Sequence, residues 1–323
     1  MTDMLEQDVR SLALPDGRPV GSPGHAAARQ YLEERLAGIG APAYHGEDYA
    51  LPYTAGGESF TNVMARLPGA DDDAAPIVLT AHYDTCGPQP GADDNAAAVA
   101  IALRVAERLL ANPARRPIIA AFFDAEEPPY YLSEAMGSIY FYHHQRQETV
   151  HAALALDLVG HDVPLPGLDN AVFITGMESD ADLAAVLQSA PVPTDGAGEQ
   201  LTPVPALNRY VGDMSDYHVF RVNERPYLFL TCGRWIHYHQ PTDIPENLNF
   251  DKIAAIADYT ETLLRAMAEK PLDGPFEGYD STPVELAFLN KAIGSLVEQF
   301  GITLEKREDI DRLADMLMGQ FGL

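Results

Sequence analysis

The sequence predicts an α/β protein with a mixed, mostly parallel central sheet sandwiched between helices and a helical extension at the C-terminus. Short apolar runs typical of buried strands alternate with longer segments of helical periodicity along most of the chain. The chain has 323 residues, 46% of them hydrophobic, and is long enough to bury one large core. Alternation of this kind favours a layered α/β architecture over an all-α or all-β one.

The first half of the chain contains the first predicted helices and strands. Ser22 is placed to cap a helix whose first turn begins with Pro23, and Ala27, Tyr31, Leu32 and Leu36 lie on one face of it. Gly38 and Gly40 then end this helix. The predicted elements are, in order, a helix over 22–38, strands over 60–67 and 77–80, a helix over 95–110 and a strand over 117–124.

The second half continues the alternation as far as a break at 271–283. The predicted elements are a helix over 137–147, strands over 152–158 and 171–175, a capped helix from Ser179 to Gln188, a strand over 227–231 and a helix over 252–268. The segment PLDGPFEGYDSTP at 271–283 is rich in Pro, Gly and Asp, and therefore indicates a linker.

The C-terminal residues differ in kind from the rest. We expect a catalytic domain over 1–270, the linker, and a helical hairpin over 284–323. The apolar side chains at helical spacing are Leu286, Leu289, Ile293, Leu296, Val297 and Phe300, followed by Ile310, Leu313 and Leu317. These faces must be buried. Packing on the same chain is favoured, and a homo-oligomer joined through these helices stays open.

Composition excludes several classes of partner. The net charge of −27, from 48 acidic against 21 basic residues, would repel nucleic acids and anionic membranes. No apolar segment has the length of a membrane span, and the first thirty residues lack the apolar core of a signal peptide. Two cysteines, Cys86 and Cys232, are compatible with a reducing compartment. We therefore expect a cytoplasmic protein.

Five short segments with acidic and histidine residues follow predicted strands. The carboxyl ends of neighbouring parallel strands meet at one edge of a sheet, where ligands bind in open α/β folds. Carboxylates and histidines gathered there are typical of a two-metal hydrolytic site. The segments are AHYD (81–84), GADDN (91–95), FFDAEE (122–127), LALDLVG (154–160) and YHQPTD (238–243).

The physical needs of two neighbouring cations suggest how the ligands divide. Two divalent ions about 3.5–4 Å apart require a shared carboxylate that offsets their repulsion. Asp94, at the turn into an apolar helix, is the natural bridge. His82 and Asp157 would complete one ion, and Glu127 and His239 the other, which leaves room for a shared water.

The remaining polar residues of these segments receive supporting roles. Glu126 and Glu127 point to different sides, so Glu126 is free to act as general base and acid. Asp84 is expected to hydrogen-bond the far nitrogen of His82. Asp93 is read as no more than a helix cap. Cys86, four residues after His82, is an alternative thiolate ligand, although the oxygen and nitrogen ligands already fill a site.

Taken in order, the motifs resemble the co-catalytic di-zinc aminopeptidases of the bacterial leucyl aminopeptidase type, which are related to glutaminyl cyclases. The resemblance runs from about Arg18 to Leu264 and implies a zinc exopeptidase-like fold. Its motifs are HYDT (82–85), GADDNAAAVA (91–100), FFDAEE (122–127), LDLVG (156–160), SDYHVF (215–220) and YHQPTD (238–243).

The resemblance also implies an activity and a set of residues. The activity is removal of N-terminal residues from a peptide or aminoacyl substrate, with Glu126 as the base. Tyr238 resembles a residue that stabilises the oxyanion in some members, and a structural tyrosine is the alternative reading. Co²⁺ or Mn²⁺ would also be accepted by these ligands. Two Zn²⁺ ions would be held by His82, Asp94, Glu127, Asp157 and His239.

Three segments depart from the family pattern, and the first is GADDNAAAVA, which has Ala where relatives usually have a small Ser-Gly pair. In SDYHVF, Tyr217 stands where a histidine usually follows the aspartate, which puts substrate contact by Asp216, Tyr217 and His218 in question. The link after Glu127 is longer than usual and carries Tyr130 and Tyr131. These tyrosines either line the pocket for the first side chain of the substrate or pack within the loop.

Two other functions remain open at this stage. A glutaminyl-cyclase-like aminoacyltransferase would bind one zinc and use the glutamate as a proton shuttle in cyclisation. A non-catalytic binding module on a peptidase-like scaffold would be expected to lack some ligands, and all of them are present here.

Overall fold

The computed structural model describes residues 2–165, 167–274, 276, 279–298 and 301–321 of the chain. Within these residues, eight strands form a single sheet in the order β1-β2-β4-β3-β5-β8-β6-β7. The strands are β1 (Ala50–Ala55), β2 (Glu58–Leu67), β3 (Ile77–His82), β4 (Ile118–Phe123), β5 (Ala152–Leu156), β6 (Ala171–Thr175), β7 (Thr202–Pro205) and β8 (Tyr227–Thr231).

Helices cover both faces of the sheet. They are α1 (Thr2–Leu12), α2 (Pro23–Gly38), α3 (Ala97–Ala111), α4 (Gly137–Tyr140), α5 (Ala181–Ser189), α6 (Asn208–Val211), α7 (His218–Val222), α8 (Phe250–Glu269), α9 (Thr282–Glu298) and α10 (Arg307–Phe321). Residues of α1, α2, α3, α5 and α8 share one hydrophobic cluster with one face of the sheet. Aromatic residues around α4 and α7 cover the other face. The predicted α/β sandwich is confirmed.

The four central strands, β4, β3, β5 and β8, run parallel to one another, whereas β2 pairs with β4 and β6 pairs with β8 in the antiparallel sense. Side chains alternate between the two faces of each strand. In β4, Phe122 joins the cluster under α3, whereas Phe123 joins the aromatic cluster on the other side. Strands that are buried on both faces must be apolar throughout, which explains the unbroken apolar runs in the sequence. Their carboxyl ends therefore meet at one edge.

Several elements differ from the sequence prediction. Helix α1 precedes the helix predicted as the first, and β1 and β7 were not predicted. Helix α5 begins at Ala181, and its cap is Asp180, whose carboxylate accepts the N–H of Asp182, rather than Ser179. On α2, Leu32 and Leu36 are buried as predicted, but Ala27 is exposed and Ala28 is buried in its place.

The C-terminal helices pack on their own chain. Helix α9 lies against β7. The buried side chains of the two helices and of the turn between them join the main hydrophobic cluster, and they are Leu289, Ile293, Val297, Leu304, Ile310 and Leu313. Phe300 and the side chains of Leu296 and Leu317, predicted on the same faces, lie outside the described residues. The division into a catalytic domain over 1–270, a linker over 271–283 and a tail stays a prediction.

None of the helices in the described part of the chain is long and apolar enough to cross a membrane.

Replacing Leu289 with alanine tests the docking of α9. The side chain is 6% exposed and joins the main core, so its removal should lower the free energy of unfolding by about 2–5 kcal/mol. The measurement is urea denaturation. Lys291→Ala, an exposed position on the same helix, is the matched control and should change stability by less than about 0.5 kcal/mol. An effect of Leu289→Ala that grows with protein concentration would instead indicate burial against a second copy.

Candidate metal centre

The predicted ligand segments converge at the carboxyl edge of the four central strands. His82 is the last residue of β3, and Asp157 directly follows β5. Glu126 and Glu127 lie on the loop after β4, and His239 lies on the loop after β8. Each is thus held at the end of a rigid strand or on the loop that follows it.

Asp94 stands between the two histidines. It lies in an irregular turn, Ala92–Ala96, that leads into α3, and the peptide bond between Asp94 and Asn95 is cis. Asp94 Oδ1 is 3.3 Å from His82 Nε2, and Asp94 Oδ2 is 3.0 Å from His239 Nε2. Each oxygen of one carboxylate therefore faces a different histidine, which is the arrangement that a bridging ligand requires.

The other carboxylates lie on either side of this bridge. Asp157 Oδ1 is 3.6 Å from His82 Nε2, and Glu127 Oε1 is 3.1 Å from His239 Nε2. Glu126 Oε2 is 3.8 Å from His82 Nε2, so Glu126 is also within reach of the first group. The structure thus brings together all five predicted ligands and the predicted base.

The donor atoms fit divalent cations. The residues His82, Asp94, Glu126 and Asp157 are each at most 6% exposed. Buried polar atoms normally have hydrogen-bond partners. Within the described residues no such partner exists for His82 Nδ1 and Nε2, Asp94 Oδ2, Glu126 Oε1 and Asp157 Oδ1. Imidazole nitrogens and carboxylate oxygens in this state are suitable ligands for zinc.

Burial and mutual repulsion shift the pKa values of these carboxyl groups. Burial raises the pKa of Glu126 well above its ordinary value, and the charges of Glu127 and Asp157 add to the rise. Burial also raises the pKa of Glu127 to about 8 and raises that of Asp157. Burial acts in the same direction on Asp94, but the two histidines outweigh it and lower its pKa. A buried cluster with this many carboxyl groups requires nearby positive charge for the groups to be ionised together.

Asp84 lies beside His82 but its main contacts are elsewhere. Its Oδ1 atom is 3.4 Å from His82 Nδ1. The two carboxylate oxygens also accept the backbone N–H groups of Glu126 and Glu127, each at 3.1 Å. The predicted hydrogen bond to the imidazole stays a prediction, and the two bonds to the backbone are a further role of Asp84. Asp84 positions the glutamate pair because both of its oxygens point at that backbone.

Arg18 is a supporting residue that the sequence reading missed. It is fully buried, and burial lowers its pKa to about 10. Its guanidinium N–H groups donate to five backbone oxygens, those of Leu12, Tyr83, Pro90, Gly91 and Asp94. Because these oxygens belong to α1 and to both ends of the connection from β3 to α3, which follows His82 and contains Asp94, one side chain fixes that connection. An arginine among Pro and Gly residues offers no sequence signal of this role.

Two further aspartates hold the turn that carries Asp94. The carboxylate of Asp243 accepts the backbone N–H groups of Asp93 at 2.8 Å and Asp94 at 3.1 Å. The carboxylate of Asp93 accepts the N–H of Gly160 and pairs with His161 Nδ1, both at 2.6 Å. Asp93 is therefore more than the helix cap that was predicted. Asp243 ends the YHQPTD segment, so its place in a motif was a signal that could have been used.

The SDYHVF segment lies near the ligand cluster, since the charge of Asp216 adds to the rise in the pKa of Glu126. Tyr217 is fully buried, and its ring stacks on Tyr227 and Phe229. His218 Nδ1 pairs with Asp213 at 2.6 Å. Asp216 is 1% exposed, its oxygens have no hydrogen-bond partner in the described residues, and burial raises its pKa to about 7. The structure does not bring these three residues to the cavity surface described next.

A cavity opens above the ligand cluster. Its lining is formed by Asp94, Glu126, Glu127, Asp157, Leu158, Met214, Phe229, Thr231, Arg234 and Tyr238. The ring of Tyr238 stacks on His239 with 3.8 Å between centroids, and Arg234 lies over its other side at 5.0 Å. Tyr238 is thus placed beside the ligand set, as the sequence reading suggested.

The two loop tyrosines have protein partners. The hydroxyl of Tyr130 donates to Glu58 at 2.5 Å, and its ring packs edge-on against Phe60. The hydroxyl of Tyr131 donates to the backbone oxygen of Asp213 at 2.6 Å. Of the two readings made from sequence, packing within the loop is the one that these contacts favour. Tyr131 ties this loop to the segment that carries Met214, which does line the cavity.

Comparison with known proteins agrees with this arrangement. The sequence profile of peptidase family M28 matches residues 62–264. The uncharacterized protein YfbL of Escherichia coli (strain K12) is 24% identical over 261 residues, which covers 73% of this chain and 78% of that protein.

Two solved structures are similar over most of their length. They are a Zn-dependent exopeptidase from Parabacteroides distasonis and a glutaminyl cyclase from Bacteroides thetaiotaomicron bound to N-acetylhistamine. Each is 18% identical to this chain, with a TM-score of 0.63, and each match covers 84% of this chain and 98% of the other. The predicted zinc exopeptidase-like fold is thereby confirmed.

Replacing Arg18 with lysine tests its role in holding the ligand loops. An ammonium group cannot reach five separated oxygens, so buried carbonyl groups would lose their partners at about 1–3 kcal/mol each. We expect the free energy of unfolding to fall by about 3 kcal/mol, measured by urea denaturation, and zinc to bind more weakly in competition with a chelating dye. Arg29→Lys, at a side chain that is 45% exposed, is the control. Equal changes in the free energy of unfolding and in zinc affinity for Arg18→Lys and Arg29→Lys would contradict the role of Arg18 in holding the ligands.

Proposed function

The chain belongs to peptidase family M28, and from this premise we propose that it is a zinc-dependent aminopeptidase that binds two metal ions. Membership of a peptidase family indicates a hydrolase. The proposal adds the count of ions, the N-terminal peptide bond as the site of cleavage, and Glu126 as the general base. The substrate would be a peptide or an aminoacyl compound.

The observation that carries the proposal is the position of Asp94. One carboxylate oxygen faces His82 at 3.3 Å, and the other faces His239 at 3.0 Å. Asp157 lies on the first side and Glu127 on the second. Two ligand groups that share one carboxylate support two neighbouring ions, each with three protein ligands and space for further coordination.

Glu126 is placed to transfer protons. It lines the cavity, and its Oε1 atom is buried without a hydrogen-bond partner in the described residues. Bound zinc would polarise the scissile carbonyl group and make a water more acidic. Glu126 would accept the proton of the attacking water and pass it to the leaving amine, which is the ordinary work of a general base that then acts as an acid. Asp84 holds the backbone of Glu126 for this task.

The charge of the cavity suits bound cations. Its lining includes four carboxylate side chains, those of Asp94, Glu126, Glu127 and Asp157. Their four negative charges would balance the four positive charges of two zinc ions, so the loaded cavity would carry little net charge toward a substrate. Tyr238 would donate its hydroxyl to the oxyanion that forms as water attacks the carbonyl carbon. The stacking of Tyr238 on His239 holds its ring beside the metal ligands.

Glutaminyl cyclisation is the second candidate. The group of Asp94, Glu127 and His239 would by itself hold one zinc ion, and one of the similar solved structures is a glutaminyl cyclase. The presence of His82 and Asp157 on the other side of Asp94 favours hydrolysis, because a single ion would leave these buried ligands without a partner.

Replacing Glu126 with glutamine tests the base. The amide cannot accept the proton, so turnover of an aminoacyl amide should fall by about 10²–10⁴-fold while the zinc content per chain stays the same. Activity assays and elemental analysis measure the two quantities on one preparation. Glu134→Gln, at an exposed position of the following loop, is the matched control and should retain activity. Retained hydrolysis in Glu126→Gln would contradict the assignment.

Product analysis separates the two candidate reactions. The zinc-loaded protein is incubated with a panel of aminoacyl amides, N-blocked peptides and a peptide that begins with glutamine. Hydrolysis should release free amino acid from unblocked substrates, with two zinc ions bound per chain. Formation of pyroglutamate with one zinc per chain would replace the proposal by cyclisation.

A further inference from the structure

We propose that Cys86 is a metal ligand, and that its sulfur completes the ion position formed by Asp94, Glu127 and His239. The two ion positions would then differ in chemistry, since only this one contains sulfur. The inference rests on the proposed metal site and adds a ligand and a metal preference to it. The class of ligand is a divalent cation that accepts thiolate, such as zinc or cadmium.

The position of the thiol is the first observation. The Cys86 sulfur, a carboxylate oxygen of Glu127 and a ring nitrogen of His239 all lie within 4.8 Å of one another. Zinc binds sulfur at about 2.3 Å and nitrogen at about 2.0 Å, so two such ligands of one ion lie less than about 4.3 Å apart. The three atoms are thus close to the spacing of a shared ion before any ion draws them together.

The second observation comes from the buried carboxylate opposite the thiol. Asp94 is 5% exposed, and its Oδ2 atom, 3.0 Å from His239 Nε2, has no hydrogen-bond partner in the described residues. Glu127 Oε1 is 3.1 Å from the same nitrogen, so both carboxylates face His239, and the thiol lies within 4.8 Å of the ligand atoms of Glu127 and His239. An ion bound at His239 would therefore have one nitrogen and two carboxylate oxygens as ligands and the sulfur as a fourth, a set that suits tetrahedral zinc.

The backbone around Cys86 is fixed. The N–H of Arg18 donates to Thr85 Oγ1 at 2.8 Å, and that hydroxyl donates to the backbone oxygen of Gly87 at 2.9 Å. The N–H of Thr85 donates in turn to the backbone oxygen of Arg18 at 3.3 Å. Both neighbours of Cys86 are therefore tethered, and the thiol is held on the side of Glu127 and His239.

The other cysteine provides an internal contrast. Cys232 is 2% exposed, and its thiol lies 3.8 Å from the backbone oxygen of Ala171, in the hydrophobic core. No group of three potential metal ligands in the described residues includes it. Cys86, by comparison, is only partly buried and belongs to such a group.

Coordination by sulfur has chemical consequences. A coordinating thiol is deprotonated outright, and its proton passes to solvent as the sulfur–metal bond forms. Zinc can expand from four ligands to five, so a fourth protein ligand does not prevent a substrate from binding. Soft thiolate ligands favour zinc and cadmium over manganese and magnesium, which prefer oxygen. The position beside His82 offers only nitrogen and oxygen and would lack this preference.

Absorption spectroscopy of the full chain loaded with Co²⁺ tests the proposal. A sulfur-to-cobalt charge-transfer band in the near ultraviolet is expected for the wild type and for the matched control Cys232→Ser. The band should be absent from Cys86→Ser, while visible absorption of bound Co²⁺ persists in all three proteins. Visible cobalt absorption without the band in the wild type, or a band retained in Cys86→Ser, would overturn the proposal.

Metal selectivity is the second measurement. Cys86→Ser should weaken Cd²⁺ binding by about 10-fold or more, with a much smaller change for Mn²⁺. Equal losses of affinity for Cd²⁺ and Mn²⁺ would overturn the assignment of Cys86 as a ligand. Neither readout depends on catalysis, so peptide hydrolysis without the sulfur band would leave the proposed function intact and remove only the role of Cys86. A wild type that binds no Co²⁺ at all would overturn the metal site and this inference together.

Discussion

The structure depends on keeping four carboxylates together in a buried space. Asp94, Glu126, Glu127 and Asp157 repel one another, and burial disfavours their charged forms, so the fold must hold them in place until cations offset the repulsion. The protein does this largely through the backbone. Carboxylates that do not belong to the ligand set accept the N–H groups of ligand residues, as Asp84 does for the glutamate pair. Asp94 and Glu127 are therefore fixed through their main chains, which leaves their carboxylates available for cations.

The need to hold four buried carboxylates together also explains which residues surround the site. Arg18 places a full positive charge next to the acidic cluster and donates to backbone oxygens at both ends of the connection that leads from His82 to the bridging carboxylate. Asp243 holds the turn of Asp94 from the other side. The four central strands supply a rigid edge on which these loops rest. Rigid support of this kind keeps ligands in position without requiring long-range motion, and it leaves the loops above the cavity free to vary.

Much of the fold was predictable because it follows from local patterns. The apolar runs of β3, β4, β5 and β8 are continuous, since these strands are buried on both faces, and they were found in the sequence. Helix α1 was missed because charged residues interrupt its buried face, which consists of Leu5, Val9 and Leu12. Strand β7 was missed because TPVP contains two prolines, which are rare in sheets except at edges, and β7 is an edge strand.

The sequence by itself determined which side chains are available as ligands and bases, because the apolar runs that predict the strands are each followed by carboxylates or imidazoles. Only the tertiary structure decided which atoms face each other. Glu127 and His239, separated by 112 residues, meet at 3.1 Å because their strands end at the same edge of the sheet. The partners of Arg18, the backbone contacts of Asp84, and the approach of Cys86 to one side of the site likewise depend on loops folded over that edge. The spacing of residues along the sequence does not predict such contacts, since they arise from the path of the chain in three dimensions.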